Sequence, residues 1–210
     1  MSGMGTALRR AVVKQFGQPT GLAGQLAGLI MERRPSNRER NLWTLSLLDI
    51  QPGDRVVEIG FGPGVALARV TELAHRGHVL GIDHSAVMLA RAAKRNAAAI
   101  ARGQLELRLA KAQDLALPEA SVDKAYAVNV FMFWPDPEDV LRRLLAGLRP
   151  GGRLAITHQP RKAGASNHDT ARDAEHIAAA LAGAGFVEVR PEILPLKSAN
   201  AACVLARRAR

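Results

Sequence analysis

Short apolar runs and segments of helical spacing alternate along most of this chain. Val56–Ile59 and His78–Asp83 have the apolar character of buried strands, and a segment with helical periodicity follows each of them. The same alternation continues as far as a fifth predicted strand at 153–157. Alternation of strands and helices predicts a parallel sheet that carries helices on both faces.

The remaining apolar patterns complete this scheme. The predicted helices span 21–33, 37–49, 65–76, 85–102, 137–149 and 169–182. The other predicted strands span 105–109, 122–130, 186–194 and 201–206. Only a short link joins the last two strands, so they must run antiparallel. The sequence therefore predicts an α/β protein, a Rossmann-like three-layer αβα sandwich whose seven-stranded, mostly parallel sheet has an antiparallel last strand.

A glycine-rich loop follows the first predicted strand. Gly60, Gly62 and Gly64 permit a tight turn and let a ligand approach backbone N–H groups. Asp83 ends the second strand 19 residues after Gly64, where a carboxylate can accept hydrogen bonds from ribose hydroxyls. Loop and carboxylate together predict a nucleoside site at the carboxyl edge of the sheet.

The spacing of the glycines distinguishes between two kinds of nucleoside ligand. Dinucleotide-binding proteins use a GxGxxG loop, in which the start of the helix holds a pyrophosphate. Here the third glycine comes one residue early, and Val65 occupies the dinucleotide position. Glu58, two residues before the first glycine, would repel a pyrophosphate but suits a cationic ligand. Both features argue against the alternative of a nicotinamide-dependent oxidoreductase.

Five segments in this order make the chain resemble the class I S-adenosylmethionine-dependent methyltransferases. They are VVEIGFGPG at 56–64, GIDHS at 81–85, KAQDLALP at 111–118, SVDKAYAVN at 121–129 and LRPGGRL at 148–154. The resemblance covers about residues 50–210 and implies S-adenosyl-L-methionine as the cofactor. The cofactor-binding positions it implies are Glu58, Gly60, Phe61, Gly62, Gly64, Asp83, His84, Ala112, Gln113 and Asn129.

The resemblance also implies a role for each of these positions. The glycine loop would line the methionine and ribose portion, with Glu58 near the amino group and Asn129 at the methionine end. Asp83 would hold the ribose hydroxyls, and His84, Ala112 and Gln113 would surround the adenine. The family often has an acidic residue where this chain has Lys111, which cannot accept a hydrogen bond from the adenine amino group.

The segment after the fourth strand and the end of the fifth strand carry the candidate acceptor site. Phe131, Phe133 and Trp134 hold three of the eight aromatic side chains and predict an apolar wall, with Trp134 at the rim of the loop. Ordinary packing is the alternative for the phenylalanines. His158 ends the fifth strand and is the candidate general base, the alternative being a hydrogen-bonded loop histidine.

The net charge of +10 invites a nucleic-acid partner, but its distribution argues against one. Segments 1–50, 51–160 and 161–210 carry +4, +3 and +3, so the chain has no basic block. We therefore expect no specific nucleic acid, with an RNA methyltransferase of the same fold as the alternative. Cys203 is the only cysteine, which excludes a disulfide framework, and no residue cluster requires a metal.

The sequence also predicts how the chain is divided, where the protein is located and what kind of acceptor it takes. Residues 51–210 are predicted to form the methyltransferase core, and 1–50 a helical extension that acts as a lid or packs in a homodimer. No apolar run is long enough for a membrane span or a signal peptide, so we expect a cytoplasmic protein. The short stretch after the fifth strand predicts a small organic acceptor, methylated on oxygen or nitrogen. A cofactor-binding protein without transferase activity remains a further alternative.

Overall fold

The computed structural model describes residues 35–210, and the predicted helix at 21–33 lies outside them. The helices are α1 (Pro35–Leu48), α2 (Val65–Leu73), α3 (Ala86–Arg95), α4 (Ala97–Ala101), α5 (Pro137–Gly147) and α6 (Asn167–Gly183). The strands are β1 (Arg55–Ile59), β2 (His78–Asp83), β3 (Leu105–Leu109), β4 (Val122–Val128), β5 (Leu148–His158), β6 (Val187–Leu194) and β7 (Ala201–Arg207). Short 3₁₀ turns span Ala112–Asp114 and Phe131–Phe133.

The strands form one seven-stranded sheet in the order β3-β2-β1-β4-β5-β7-β6. The first five strands pair in parallel, and β7 runs antiparallel to both β5 and β6. The predicted fold class is therefore confirmed. Because the strand order reverses between β1 and β4, a crevice forms at their carboxyl ends, where open α/β sheets bind their ligands.

Each face of the sheet is covered by its own apolar layer. Val57 and Ile59 of β1 pack with the buried residues of α5 and α6, whereas Val56 joins those of α1, α2 and α3. This division follows from the pleat, which points successive side chains of a strand to opposite faces. Leu45 and Leu48 place α1 in the second layer, so this helix of the predicted 1–50 extension covers the sheet.

Two of the predicted elements differ most from the structure. The predicted helix at 85–102 begins at its Ser85 cap but breaks at Asn96, whose amide Nδ2 donates to the carbonyls of Gly64 and Ala92. The second difference is in β5, which begins at Leu148 rather than 153. A register shift between Val122 and Lys124 of β4 accommodates the extra residues of β5. Within residues 35–210, no helix is long and apolar enough to cross a membrane.

Candidate active site

The glycine loop forms a compact turn between β1 and α2. Gly60, Gly62 and Gly64 all have positive φ angles, of 79°, 52° and 74°, which glycine adopts without steric cost. The Gly64 N–H donates to the Phe61 carbonyl at 3.0 Å and closes the turn. A Cβ placed on Gly62 would meet nothing within 4 Å, so the loop presents open backbone at this position.

The other members of the loop are held by packing. A Cβ on Gly64 would lie 2.7 Å from the Cβ of Ala92, and one on Gly60 would collide with Val130. The side chain of Phe61 is buried and packs against Gly81 in the neighbouring strand. Close packing at Gly60 and Gly64 therefore fixes the shape of the loop. The ring of Phe61 lies in the core, where the absence of a side chain on Gly81 leaves room for it.

Asp83 fixes the loop to the end of β2. Its Oδ2 accepts from the Gly62 N–H at 2.8 Å and its Oδ1 from the Ser85 N–H at 2.9 Å. Burial raises the pKa of Asp83, and these backbone hydrogen bonds counteract the effect. A carboxylate has about four lone-pair sites, so Asp83 keeps acceptor capacity for ligand hydroxyls.

The predicted adenine contacts lie beside Asp83. The side chain of His84 is 41% exposed, with its Nδ1 3.8 Å from Asp83 Oδ1. Ala112 and Gln113 are half-buried in the short turn after β3. The N–H of Ala110 donates to the carbonyl of Asp83 and keeps this turn beside the end of β2. The structure therefore brings the predicted adenine-binding residues to one place.

Glu58 lies beneath the loop, in the interior of the protein. Its side chain is 2% exposed, and the hydroxyl of Tyr126 donates to Oε2 at 2.7 Å. Burial raises the pKa of Glu58 from 4.5 to about 8, and the Tyr126 hydrogen bond counteracts part of this shift. The structure therefore places Glu58 with Tyr126 in the layer beneath the loop.

Asn129 turns the chain out of the sheet directly after β4, so the strand predicted to reach residue 130 ends at Val128. Asn129 has a φ of 58°, a conformation that asparagine tolerates better than most residues. Its Oδ1 accepts from the Gln159 N–H at 2.9 Å, which fixes the orientation of the amide. Its buried Nδ2 has no hydrogen-bond partner within residues 35–210.

His158 ends β5, next to Asn129 at the same edge of the sheet. Its Nε2 lies 3.3 Å from Oδ2 of Asp173, and its side chain is 14% exposed. The buried Nδ1 lacks a hydrogen-bond partner in the described part of the chain. Burial lowers the pKa of His158 below 6.5, whereas Asp173 raises it. Neutral imidazole is therefore the favoured form near neutral pH.

The predicted aromatic wall is wrong for two of its three members. Phe131 is 1% exposed and Trp134 is 8% exposed, so both belong to the core and not to a rim. Their ring centroids are 5.3 Å apart, and Phe131 also meets the edge of His176. The 3₁₀ turn directs these two rings inward. Of the three aromatics, only Phe133 is exposed, at 55%.

Two further apolar side chains at the carboxyl edge of the sheet are exposed. Met132 is 46% exposed next to Phe133, and Leu109 at the end of β3 is 53% exposed. Exposed side chains of this size can provide apolar contact for a ligand. Methionine is unbranched and adapts to ligands of different shapes.

Sequence reasoning missed several polar residues that support the site. Tyr126, Asp173 and Arg40 come from β4, α6 and α1, far apart in the chain. The fully buried guanidinium of Arg40 donates to the side-chain oxygens of Gln159 and Asn37. The only available signal was the position of Tyr126 within an apolar run, and it does not identify a partner.

Comparison with known proteins agrees with this geometry. Residues 57–156 match the family model of a methyltransferase domain. The chain is 32% identical over 183 residues to the uncharacterized methyltransferase YdaC of Bacillus subtilis (strain 168), covering 87% of this chain and 98% of that protein. It thus belongs to the S-adenosylmethionine-dependent methyltransferase family. The chain is an enzyme of this family, with S-adenosyl-L-methionine as its cofactor, and not a nicotinamide-dependent oxidoreductase.

The chain is also similar to a second methyltransferase in sequence and to a solved methyltransferase in fold. The chain is 34% identical over 148 residues to trans-aconitate 2-methyltransferase of Azoarcus sp. (strain BH72), covering 70% of this chain and 55% of that enzyme. The chain thus spans about half the length of this relative. The N-methyltransferase NodS of Bradyrhizobium japonicum WM9, solved with S-adenosyl-L-homocysteine, shares the fold with a TM-score of 0.70. Its sequence identity is 16%, over 96% of this chain and 98% of that structure.

The residues present suit this cofactor. Gly62 leaves open space over the loop, and Asp83 retains acceptor capacity for the ribose hydroxyls. The buried Nδ2 of Asn129 is a hydrogen-bond donor with no acceptor within residues 35–210.

Proposed function

We propose that this methyltransferase acts on an oxygen or nitrogen atom of a small organic acceptor bound at the ends of β4 and β5. The observation that carries this proposal is the pair of buried polar atoms there, Asn129 Nδ2 and His158 Nδ1. Neither has a hydrogen-bond partner within the described residues. Buried polar groups are nearly always hydrogen-bonded, so two such atoms at adjacent strand ends support a polar ligand.

The surroundings of these atoms support a small acceptor with an apolar portion. Met132 and Phe133 are exposed beside Asn129, and the loop at 159–166 between β5 and α6 is short. The similar methyltransferase from Azoarcus is named for trans-aconitate, a small organic acid. The same features weigh against a large substrate such as an RNA.

The proposed roles divide between holding the cofactor and preparing the acceptor. The glycine loop, Asp83, His84, Ala112 and Gln113 would hold the nucleoside, with Glu58 and Asn129 toward the methionine end. S-adenosyl-L-methionine supplies an activated methyl group on its sulfonium. His158 would take the proton from an acceptor hydroxyl or ammonium group as that atom attacks, and the surrounding residues would align the acceptor and exclude water.

The test combines cofactor binding with turnover on small hydroxyl, carboxylate and amine acceptors. Asp83→Ala should weaken cofactor binding at least about tenfold in calorimetry, because hydrogen bonds to a charged group contribute about 1.5–3 kcal/mol. Asp49→Ala, at an exposed carboxylate at the end of α1, is the control. His158→Ala should lower kcat by about 100- to 10,000-fold and leave cofactor affinity unchanged.

Two results would contradict the proposal. One is unchanged cofactor affinity in Asp83→Ala, and the other is near-normal kcat in His158→Ala. In the parent enzyme, kcat should rise with pH through a pKa below 6.5, since burial lowers the pKa of His158. This limb of the pH profile should disappear in His158→Ala.

A further inference from the structure

A buried carboxylate from a different element accompanies His158. Asp173 lies in the second turn of α6, and its Oδ2 is 3.3 Å from Nε2 of His158 at the end of β5. The two side chains are 12% and 14% exposed. A histidine whose one nitrogen faces a carboxylate carries its proton on that nitrogen, and the other nitrogen then has a free lone pair.

Capping of α6 does not account for Asp173. The N-terminus of this helix is capped by Ser166 and Asp169, which form a reciprocal capping box. Asp169 also forms an ion pair with Lys162. Asp173 lies one turn further on, where no orphan N–H groups of the helix remain. Its other oxygen, Oδ1, accepts from Arg172 at 3.0 Å.

The charged groups around His158 oppose one another. Asp173 on α6 favours the protonated imidazole, whereas Arg161 in the following loop and Arg40 on α1 disfavour it. Burial disfavours the charged form as well. The surroundings thus keep the ring neutral, while the carboxylate decides which nitrogen holds its one proton.

We infer that Asp173 is a positioning residue that holds the proton of neutral His158 on Nε2, so that Nδ1 is the atom that accepts the proton of the acceptor. This inference rests on the proposed function for its catalytic half. In the reaction, the acceptor O–H or N–H proton moves to Nδ1 while the acceptor atom bonds to the methyl carbon and the C–S bond breaks. The imidazolium formed is then stabilised by the carboxylate of Asp173.

Nitrogen NMR of the cofactor-free protein tests the tautomer without requiring any activity. Long-range ¹H–¹⁵N spectra, assigned with His158→Gln, should show neutral His158 with its proton on Nε2. In Asp173→Asn the preference for this tautomer should weaken, and the pKa of His158 should fall because Asp173 raises it. Asp169→Asn is the matched control, a buried carboxylate one turn earlier on the same helix, and should leave the tautomer unchanged.

Kinetics with an accepted substrate give a second readout. Asp173→Asn should lower kcat at least about tenfold, within the range of general-base effects, with KM and cofactor affinity nearly unchanged. The low-pH limb should also move to lower pH in this variant. A proton on Nδ1 in the parent protein, or equal effects of Asp173→Asn and Asp169→Asn on the tautomer, would overturn the inference. Failure to find any acceptor would contradict the proposed function alone, because the tautomer is measured independently.

Discussion

Glu58 shows at the scale of one residue how the site affects stability. Its carboxyl is buried against Tyr126, and burial raises its pKa from 4.5 to about 8. Between these two values the folded protein binds more protons than the unfolded chain does. The free energy of unfolding should therefore fall as the pH rises through this range.

We predict that Glu58→Gln reduces this loss of stability. The glutamine keeps an oxygen that can accept from the Tyr126 hydroxyl, but it cannot ionise. A difference of one between the folded and unfolded pKa corresponds to about 1.4 kcal/mol of stability. The difference in unfolding free energy between variant and parent should therefore change by a few kcal/mol from about pH 5 to about pH 8. Urea unfolding at several pH values measures it, with Glu175→Gln at an exposed position as control. If the unfolding free energies of Glu58→Gln and the parent changed in parallel with pH, the prediction would be contradicted.

The aromatic residues after β4 show that the sequence pattern does not predict which side chains point into the core. Phe131, Phe133 and Trp134 all follow β4 in the chain and were predicted to form the acceptor wall, with Trp134 at its rim. Their orientation depends on the 3₁₀ turn, which sends Phe131 and Trp134 inward and leaves Phe133 exposed. The position of Asp83 at the end of β2 was easier to predict, because strand ends are visible in the sequence.

At the scale of elements, α2 and α3 approach each other closely at Gly64. This residue precedes α2, and a Cβ there would lie 2.7 Å from Cβ and 2.9 Å from Cα of Ala92 in α3. A side chain would therefore push the two helices apart. Gly103, which follows α4, has a similar φ of 68° but open space around its Cα.

These two glycines form a matched pair for a stability measurement. Gly103→Ala should cost about 1–2 kcal/mol, the strain of the left-handed conformation alone. Gly64→Ala should cost about 1–3 kcal/mol more than Gly103→Ala, because overpacking against Ala92 adds to the strain of the left-handed conformation. Equal losses of unfolding free energy in urea would show that α2 and α3 tolerate the added methyl group.

The element pattern could be predicted largely from the sequence, with errors where the elements meet. Strand-helix alternation indicated the parallel strands, and the short link between the last two strands indicated the antiparallel end. The break at Asn96 could not be predicted, because it depends on a hydrogen bond to Gly64 from a residue 32 positions away. The early start of β5 depends in the same way on its pairing with β4. The pairing of His158 with Asp173 is a further contact that no local pattern contains.

At the scale of the whole molecule, the net charge of +10 must be reconciled with a small acceptor. Many arginines of the described residues lie within ion-pair distance of a carboxylate, often on the same helix or strand. Examples are the pairs Arg69–Glu72, Arg108–Glu106, Arg142–Glu138, Arg143–Asp139 and Arg190–Glu192. A surface on which cations alternate with carboxylates does not form the continuous basic track that follows a phosphate backbone.

We therefore predict that nucleic acid is not the substrate. Binding to a labelled RNA, measured by fluorescence anisotropy, should be weak and independent of sequence. Its affinity should fall at least about tenfold between about 50 mM and about 200 mM salt. Each phosphate that the protein neutralises releases about one counterion, and this release becomes less favourable as the salt concentration rises. A small acceptor binds without this counterion release, so its turnover should change little over the same range. Methyl transfer to one defined RNA position at the higher salt concentration would contradict the prediction and favour an RNA methyltransferase of the same fold.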